Sequence, residues 1–171
     1  MDSGTYEALF LGFHLANNLE ALFAAYQEMK TKNIKPSLNS LYLLLETIVD
    51  QQKPKLIDQI IKDIEDVFFL IPDAWILHIA LHGYISSGEW KKCLTLFHQM
   101  KYRQLALPKA ILVSFLRLLK QADLPNEVSR VFQQLQSDLG LDTQHNHEAD
   151  SSRLSDRAKM AFEYLLDKLS A

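Results

Sequence analysis

The sequence predicts an all-α protein built as a stack of helical hairpins. Three observations carry this: prolines recur at a constant spacing, an apolar helix face keeps its phase through that spacing, and strand patterning is absent. The prolines of "IKPS", "LIPD" and "ALPK" fall at Pro36, Pro72 and Pro108. That is a period of about 36 residues, inside the roughly 20–50 residue range that marks stacked repeats. Five glycines and five prolines among 171 residues are also few turn formers for a β-sandwich.

The period divides the chain into units at residues 4–38, 39–74, 75–109 and 110–144, the second and fourth being degenerate. The first helix of each unit carries the same apolar face: Tyr6, Leu9, Phe10 and Phe13, then Leu41, Leu44, Leu45 and Ile48. Leu77, Ala80, Leu81 and Tyr84 follow, and then Leu112, Phe115, Leu116 and Leu119. None of these positions is charged, as a buried helix stripe requires.

A second helix completes each unit. Leu19, Leu22, Phe23, Tyr26 and Met29 share its face in the first unit, and Trp90, Cys93, Leu94, Phe97 and Met100 in the third. Val128, Phe132 and Leu135 take those places in the fourth. In the second, Ile57, Ile60, Ile61, Ile64 and Val67 fit if about two residues are inserted around "QQKPK" and the unit's end is shorter. The turns "ANN", "SSGE" and "QADLP" join the helices of a pair. Asn17 and Gly88 suit left-handed helix closure, and Pro125 suits a first helical turn. Beyond the repeats, residues 140–153 are expected as a polar loop. Residues 154–170 are expected as a C-terminal capping helix with Ser155 as N-cap and Ala158, Phe162, Leu165 and Leu169 in its stripe.

Composition narrows the function. Eighteen basic and 21 acidic residues give a formal charge of −3, without the basic excess typical of nucleic-acid proteins. The single cysteine, Cys93, excludes an internal disulfide and a Cys-rich zinc module, and its apolar helix position makes it a core thiol. His145, His147, Glu148 and Asp150 lack the spacing of a closed zinc site. No phosphate loop, nucleophile elbow or recognisable carboxylate pair is present, so neither an enzyme nor a cofactor is expected. No apolar run reaches the ~18 residues of a membrane span, and no Lys or Arg precedes Lys30, so no presequence is expected within this chain.

The units also carry a resemblance. "TYEALFLGFHLANNLEALFAAYQEMKTKNIKPS" and "WILHIALHGYISSGEWKKCLTLFHQMKYRQLALPK" resemble pentatricopeptide repeats in their paired-helix bodies, Met-Lys helix ends and proline-bearing exits. Tetratricopeptide repeats, with a similar period, are the alternative, and would make the chain a peptide-binding module. The pentatricopeptide resemblance spans residues 4–144. It implies a right-handed α-α superhelix, mitochondrial localisation (the alternative expectation being cytoplasmic), and a part in organellar RNA processing, stability or translation. It also implies membership of a larger chain or complex, since the first repeat opens almost at residue 1.

Such proteins read about one base of single-stranded RNA per repeat with two or three side chains. One side chain lies near the start of the first helix and another just after the terminal proline. The resemblance thus implies the pairs Glu7 with Ser37, Tyr42 with Asp73, and His78 with Lys109, and Val113 with a partner near Thr143. The first-helix position is usually Asn, Thr or Ser in the family; here it is Glu, Tyr, His and Val. One turn further lie Leu11, Glu46, His82 and Arg117, and near the helix ends Leu15, Asp50, Ser86 and Gln121. Tyr42 and His78 could stack bases. Glu7, Glu46 and Asp50 should repel phosphate, which leaves Lys109, Arg117 and Lys120 as the basic edge. A protein partner on the concave face is the second expectation.

Overall fold

The structure, a computed structural model, describes residues 2–124 and 126–128 together with 130, 131, 134 and 167. The described residues form seven α-helices of 13 residues each: α1 (Ser3–Leu15), α2 (Leu19–Thr31), α3 (Leu38–Asp50), α4 (Pro54–Asp66), α5 (Ala74–Ser86), α6 (Trp90–Tyr102) and α7 (Lys109–Gln121). No strand occurs among them. The chain divides into two compact units, residues 1–106 with α1–α6 and residues 107–171 with α7. The expected loop 140–153, the helix 154–170, Thr143 and the cluster from His145 to Asp150 lie outside the described residues.

In the first unit, three hairpins stack. Helices α1, α3 and α5 pair with α2, α4 and α6 in turn, and α3 packs between α1 and α5. The apolar faces explain this order. Tyr6 and Phe10, with all four face residues of α3 and of α5, are buried. Leu9 and Phe13 stay half-buried, because α1 has a first-helix neighbour on one side only. The face of α7 is buried in the second unit.

Capping sets where α1, α3 and α5 start. Asp2, Ser37 and Asp73 accept the N–H of Thr5, Ser40 and Ile76 at 2.9, 3.1 and 2.9 Å, a bond worth about 1 kcal/mol. Six of the seven helices then end in a Schellman closure, with the sixth N–H returning to the first carbonyl: Asn18 to Phe13, Ile34 to Met29, Lys53 to Ile48, Glu89 to Tyr84, Leu105 to Met100 and Leu124 to Leu119; after α4 the closing bond is one residue wider, from Leu70 to Ile64. The closing residue has positive φ each time, and only Gly88 is a glycine. Asn17, Asn33, Gln52, Phe69, Gln104 and Asp123 do the same work.

The second hairpin corrects the expected insertion. Its inner turn is three residues long, like those of the other two hairpins, and Pro54 opens α4. Ile57 therefore takes the place of Leu22, and Ile64 that of Met29. The extra residue lies after α4, where Phe68 is buried and meets the Tyr26 ring edge-on at 6.1 Å. Its insertion pushes Phe69 into the left-handed closing position at φ 52° and leaves that ring 81% exposed.

Polar bridges tie one hairpin to the next. Asp63 on α4, only 8% exposed, accepts from the Lys30 ammonium at 2.7 Å and the Tyr26 hydroxyl at 3.0 Å on α2. A buried carboxylate needs such partners, and burial beside Asp63 pushes the Tyr26 phenol far up. Asp58 likewise accepts from Tyr84 and Lys92, both at 2.6 Å. Gln51 donates to the Asn17 carbonyl at 3.0 Å and Arg103 to the Pro72 carbonyl at 2.7 Å, which aligns successive turns.

Helix α5 lies close against α3 and α4 at Gly83. A Cβ there would lie 2.4 Å from Ile57 Cδ1 and 2.7 Å from Val49 Cγ2. We predict that Gly83→Val destabilises the fold by about 1–3 kcal/mol through overpacking, read as a lower urea midpoint. Phe69→Asn should act oppositely. It relieves a left-handed aromatic residue of its strain without uncovering a core, and should stabilise by about 1 kcal/mol in the same measurement.

Candidate functional site

The first helices share a register counted from the N-cap, and it places the candidate residues. Five residues beyond Asp2, Ser37, Asp73 and Pro108 come Glu7, Tyr42, His78 and Val113. Two of the expected residues need correction. Val113 is only 8% exposed, because the apolar arc of α7 includes it, so it presents nothing to a ligand. Lys109 is the first residue of α7 and lies one place past the N-cap. The position equivalent to Ser37 and Asp73 is Pro108, which offers no side-chain hydrogen bond.

The remaining reading positions are engaged within the protein. Glu7 accepts from the Asn39 amide at 2.7 Å, and Ser37 is occupied in capping α3. Tyr42 and Asp73 do meet: the phenol donates to Asp73 Oδ2 while Oδ1 caps α5. Both carboxylate oxygens are thereby used. His78 donates from Nε2 to the Ala106 carbonyl at 2.8 Å. Its Nδ1 is then a buried acceptor without a hydrogen-bond partner among the described residues. Of the expected pairs within the first unit, Tyr42 with Asp73 is in direct contact, whereas Glu7 bonds Asn39, two residues past Ser37.

In the first unit, the residues two, six, nine and thirteen places beyond each first-helix N-cap form a line along the open face, exposed or half-buried except for Ile79 at 8%. On α1 it reads Gly4, Ala8, Leu11 and Leu15, all exposed. On α3 it reads Asn39, Leu43, Glu46 and Asp50, and on α5 Trp75, Ile79, His82 and Ser86. Trp75 is 53% exposed, and its ring meets that of His78 edge-on at 6.3 Å. Sequence reasoning used Trp75 only to mark a repeat boundary. The available signal was a large aromatic residue one step outside the repeated apolar face. Within α7, taken by itself, the equivalent positions are Ala110, Ser114, Arg117 and Gln121, and the helix also carries Lys109 and Lys120.

Charge separates the two units. Helices α1, α3 and α5 contain no Lys or Arg, whereas α7 contains Lys109, Arg117 and Lys120. The cations of the first unit sit on second helices and turns, several of them in structural contacts. Lys92 pairs with Asp58 and Glu89, Lys91 lies 5.4 Å over the Trp90 ring, and Arg103 holds the Pro72 carbonyl. Lys30 reaches Asp63, which gives it a role beyond the helix dipole. Burial pushes the Cys93 thiol up to about 12, so it is no nucleophile near neutrality. No metal-ligand cluster occurs among the described residues.

A stack of helical hairpins whose first-helix starts share one register is an α-solenoid. Residues 1–51 match the family described as pentatricopeptide repeat domain. None of the curated proteins matches the chain. The structure is similar to the pentatricopeptide domain of Arabidopsis thaliana protein-only RNase P 1, solved in complex with tRNA, at 16% identity and TM-score 0.67, covering 95% of this chain and 81% of that one. It is also similar to maize PPR10 at 13% identity and TM-score 0.67, covering 99% of this chain but 24% of that protein. The match to the pentatricopeptide repeat family is thus confined to residues 1–51 in sequence, while the fold is shared with pentatricopeptide solenoids along nearly the whole chain.

The Tyr42–Asp73 contact gives a pH prediction. The hydrogen bond to Asp73, then burial, raises the Tyr42 phenol from 10.0 to about 12. Its protonated form is therefore favoured by folding. The contribution to stability is complete below about pH 10 and is lost as pH rises through about 12. Spectrophotometric titration should show Tyr42→Phe losing one late-ionising phenol, with a stability cost of about 1 kcal/mol at neutral pH.

Proposed function

We propose that the chain is a non-catalytic RNA-binding module that holds single-stranded RNA and serves in mitochondrial RNA processing, stability or translation. The supporting observation is the cation distribution. Among the described first helices, Lys and Arg occur only on α7, and phosphate neutralisation supplies most of the affinity of nucleic-acid binding. The pentatricopeptide match over residues 1–51, and the tRNA held by the Arabidopsis domain, point the same way. On this reading the second repeat contributes little base-edge readout, since Tyr42 and Asp73 already satisfy one another. The exposed Trp75 and His82 rings offer stacking, which tolerates any base.

A second reading, a protein-binding scaffold, is favoured by the cation-free first unit. Titration of labelled single-stranded RNA at several salt concentrations separates the two. We predict that Lys109→Ala and Arg117→Ala each weaken binding across sequences and flatten the salt slope by about one. If the unmodified chain at low salt binds no member of a random RNA pool, the RNA reading fails.

A further inference from the structure

The open face of α1 and α3 differs from the rest of the first-helix surface in two ways. On α1 it is apolar and uncovered. Leu11 is 48% and Leu15 76% exposed. A Cβ built on Gly12 would meet nothing within 4 Å. Gly4, Ala8, Leu11 and Leu15 follow one another at spacings of four, three and four residues, the seam along which a partner helix packs. On α3, which packs directly against α1, the same line carries Glu46 and Asp50. Asp50 has no ion-pair partner among the described residues, and Glu46 meets only His14, whose Nε2 lies 3.9 Å away. No Lys or Arg occurs on α1, α3 or α5 to offset these carboxylates.

An apolar seam beside two uncompensated acids specifies its occupant. Phosphate backbones are repelled by Glu46 and Asp50 and gain nothing from Leu11 and Leu15. A second copy of this chain, packed face to face, would bring the two acidic lines together. A helix with an apolar stripe flanked by Lys or Arg satisfies both halves of the face at once, as in helix-in-groove recognition. We infer that the open face of α1 and α3 docks a basic amphipathic helix of a partner protein. This stands apart from RNA binding at α7 and does not rest on it.

The test uses the whole chain and two designed amphipathic helical peptides, one of Leu and Lys and one of Leu and Glu, measured by fluorescence anisotropy. The Leu/Lys peptide should bind in a salt-dependent manner and the Leu/Glu peptide should not. Leu11→Ser combined with Leu15→Ser should weaken the Leu/Lys peptide roughly tenfold or more. Both leucines are exposed, so circular dichroism should be unchanged. Glu46→Lys should weaken the same peptide, while Lys109→Ala should leave its affinity unaltered. The inference is overturned if neither peptide binds, if both bind equally, or if the leucine variant binds Leu/Lys like the unmodified chain. It is equally overturned if single-stranded RNA displaces the peptide and loses affinity with the same leucine variant, for the face would then belong to RNA.

Discussion

The structure of the first unit depends on α3 lying between two other first helices. That position requires α5 to approach close enough that Gly83 leaves no room for a Cβ beside Val49 and Ile57. It also requires every face residue of α3 to be buried, and Leu41, Leu44, Leu45 and Ile48 all reach 0% exposure. A lone hairpin leaves such a face uncovered, so order is gained by stacking. With α3 sandwiched, its N-terminus, and those of α1 and α5, come into one register. The open face is a consequence of that register.

Charge then divides the surface into regions. The first unit offers leucines on α1, acids on α3 and aromatic rings on α5, while cations on first helices begin with α7. The same fold can thus present different chemistry from helix to helix, because the residues on the open line of the first unit, Ile79 apart, are not buried. The N-cap position is different. Ser37 and Asp73 hold helix starts, so any ligand that recruits them competes with capping worth about 1 kcal/mol each.

The hairpin architecture was legible in the sequence because a buried first-helix face tolerates little variation. Its phase survived even in the degenerate second unit, where α3 is apolar throughout its face. The second helix of that unit was misplaced because its isoleucines fit two phases about equally well. Pro54 decided between them by opening α4, and the surplus residue became Phe68. Helix closure was legible at Asn17 and Gly88 but not at Gln52, Phe69 or Gln104. There a ring of backbone hydrogen bonds imposes positive φ on residues that do not prefer it. The constant proline spacing was partly misleading: Pro36 and Pro72 precede an N-cap, whereas Pro108 is one. That single step moved Lys109 off its expected place. Side-chain pairing such as Tyr42 with Asp73, and Glu7 with Asn39 rather than Ser37, depends on distances across neighbouring helices that no spacing within the chain reveals.

On the reading proposed above, RNA is held at α7 and the α1–α3 surface is left to another ligand. Amide hydrogen exchange of the whole chain, with and without saturating single-stranded RNA, tests it directly. The account predicts that RNA slows exchange in residues 109–121 and leaves residues 3–15 and 38–50 unchanged. Slowing confined to α1 and α3, with none in α7, would contradict it.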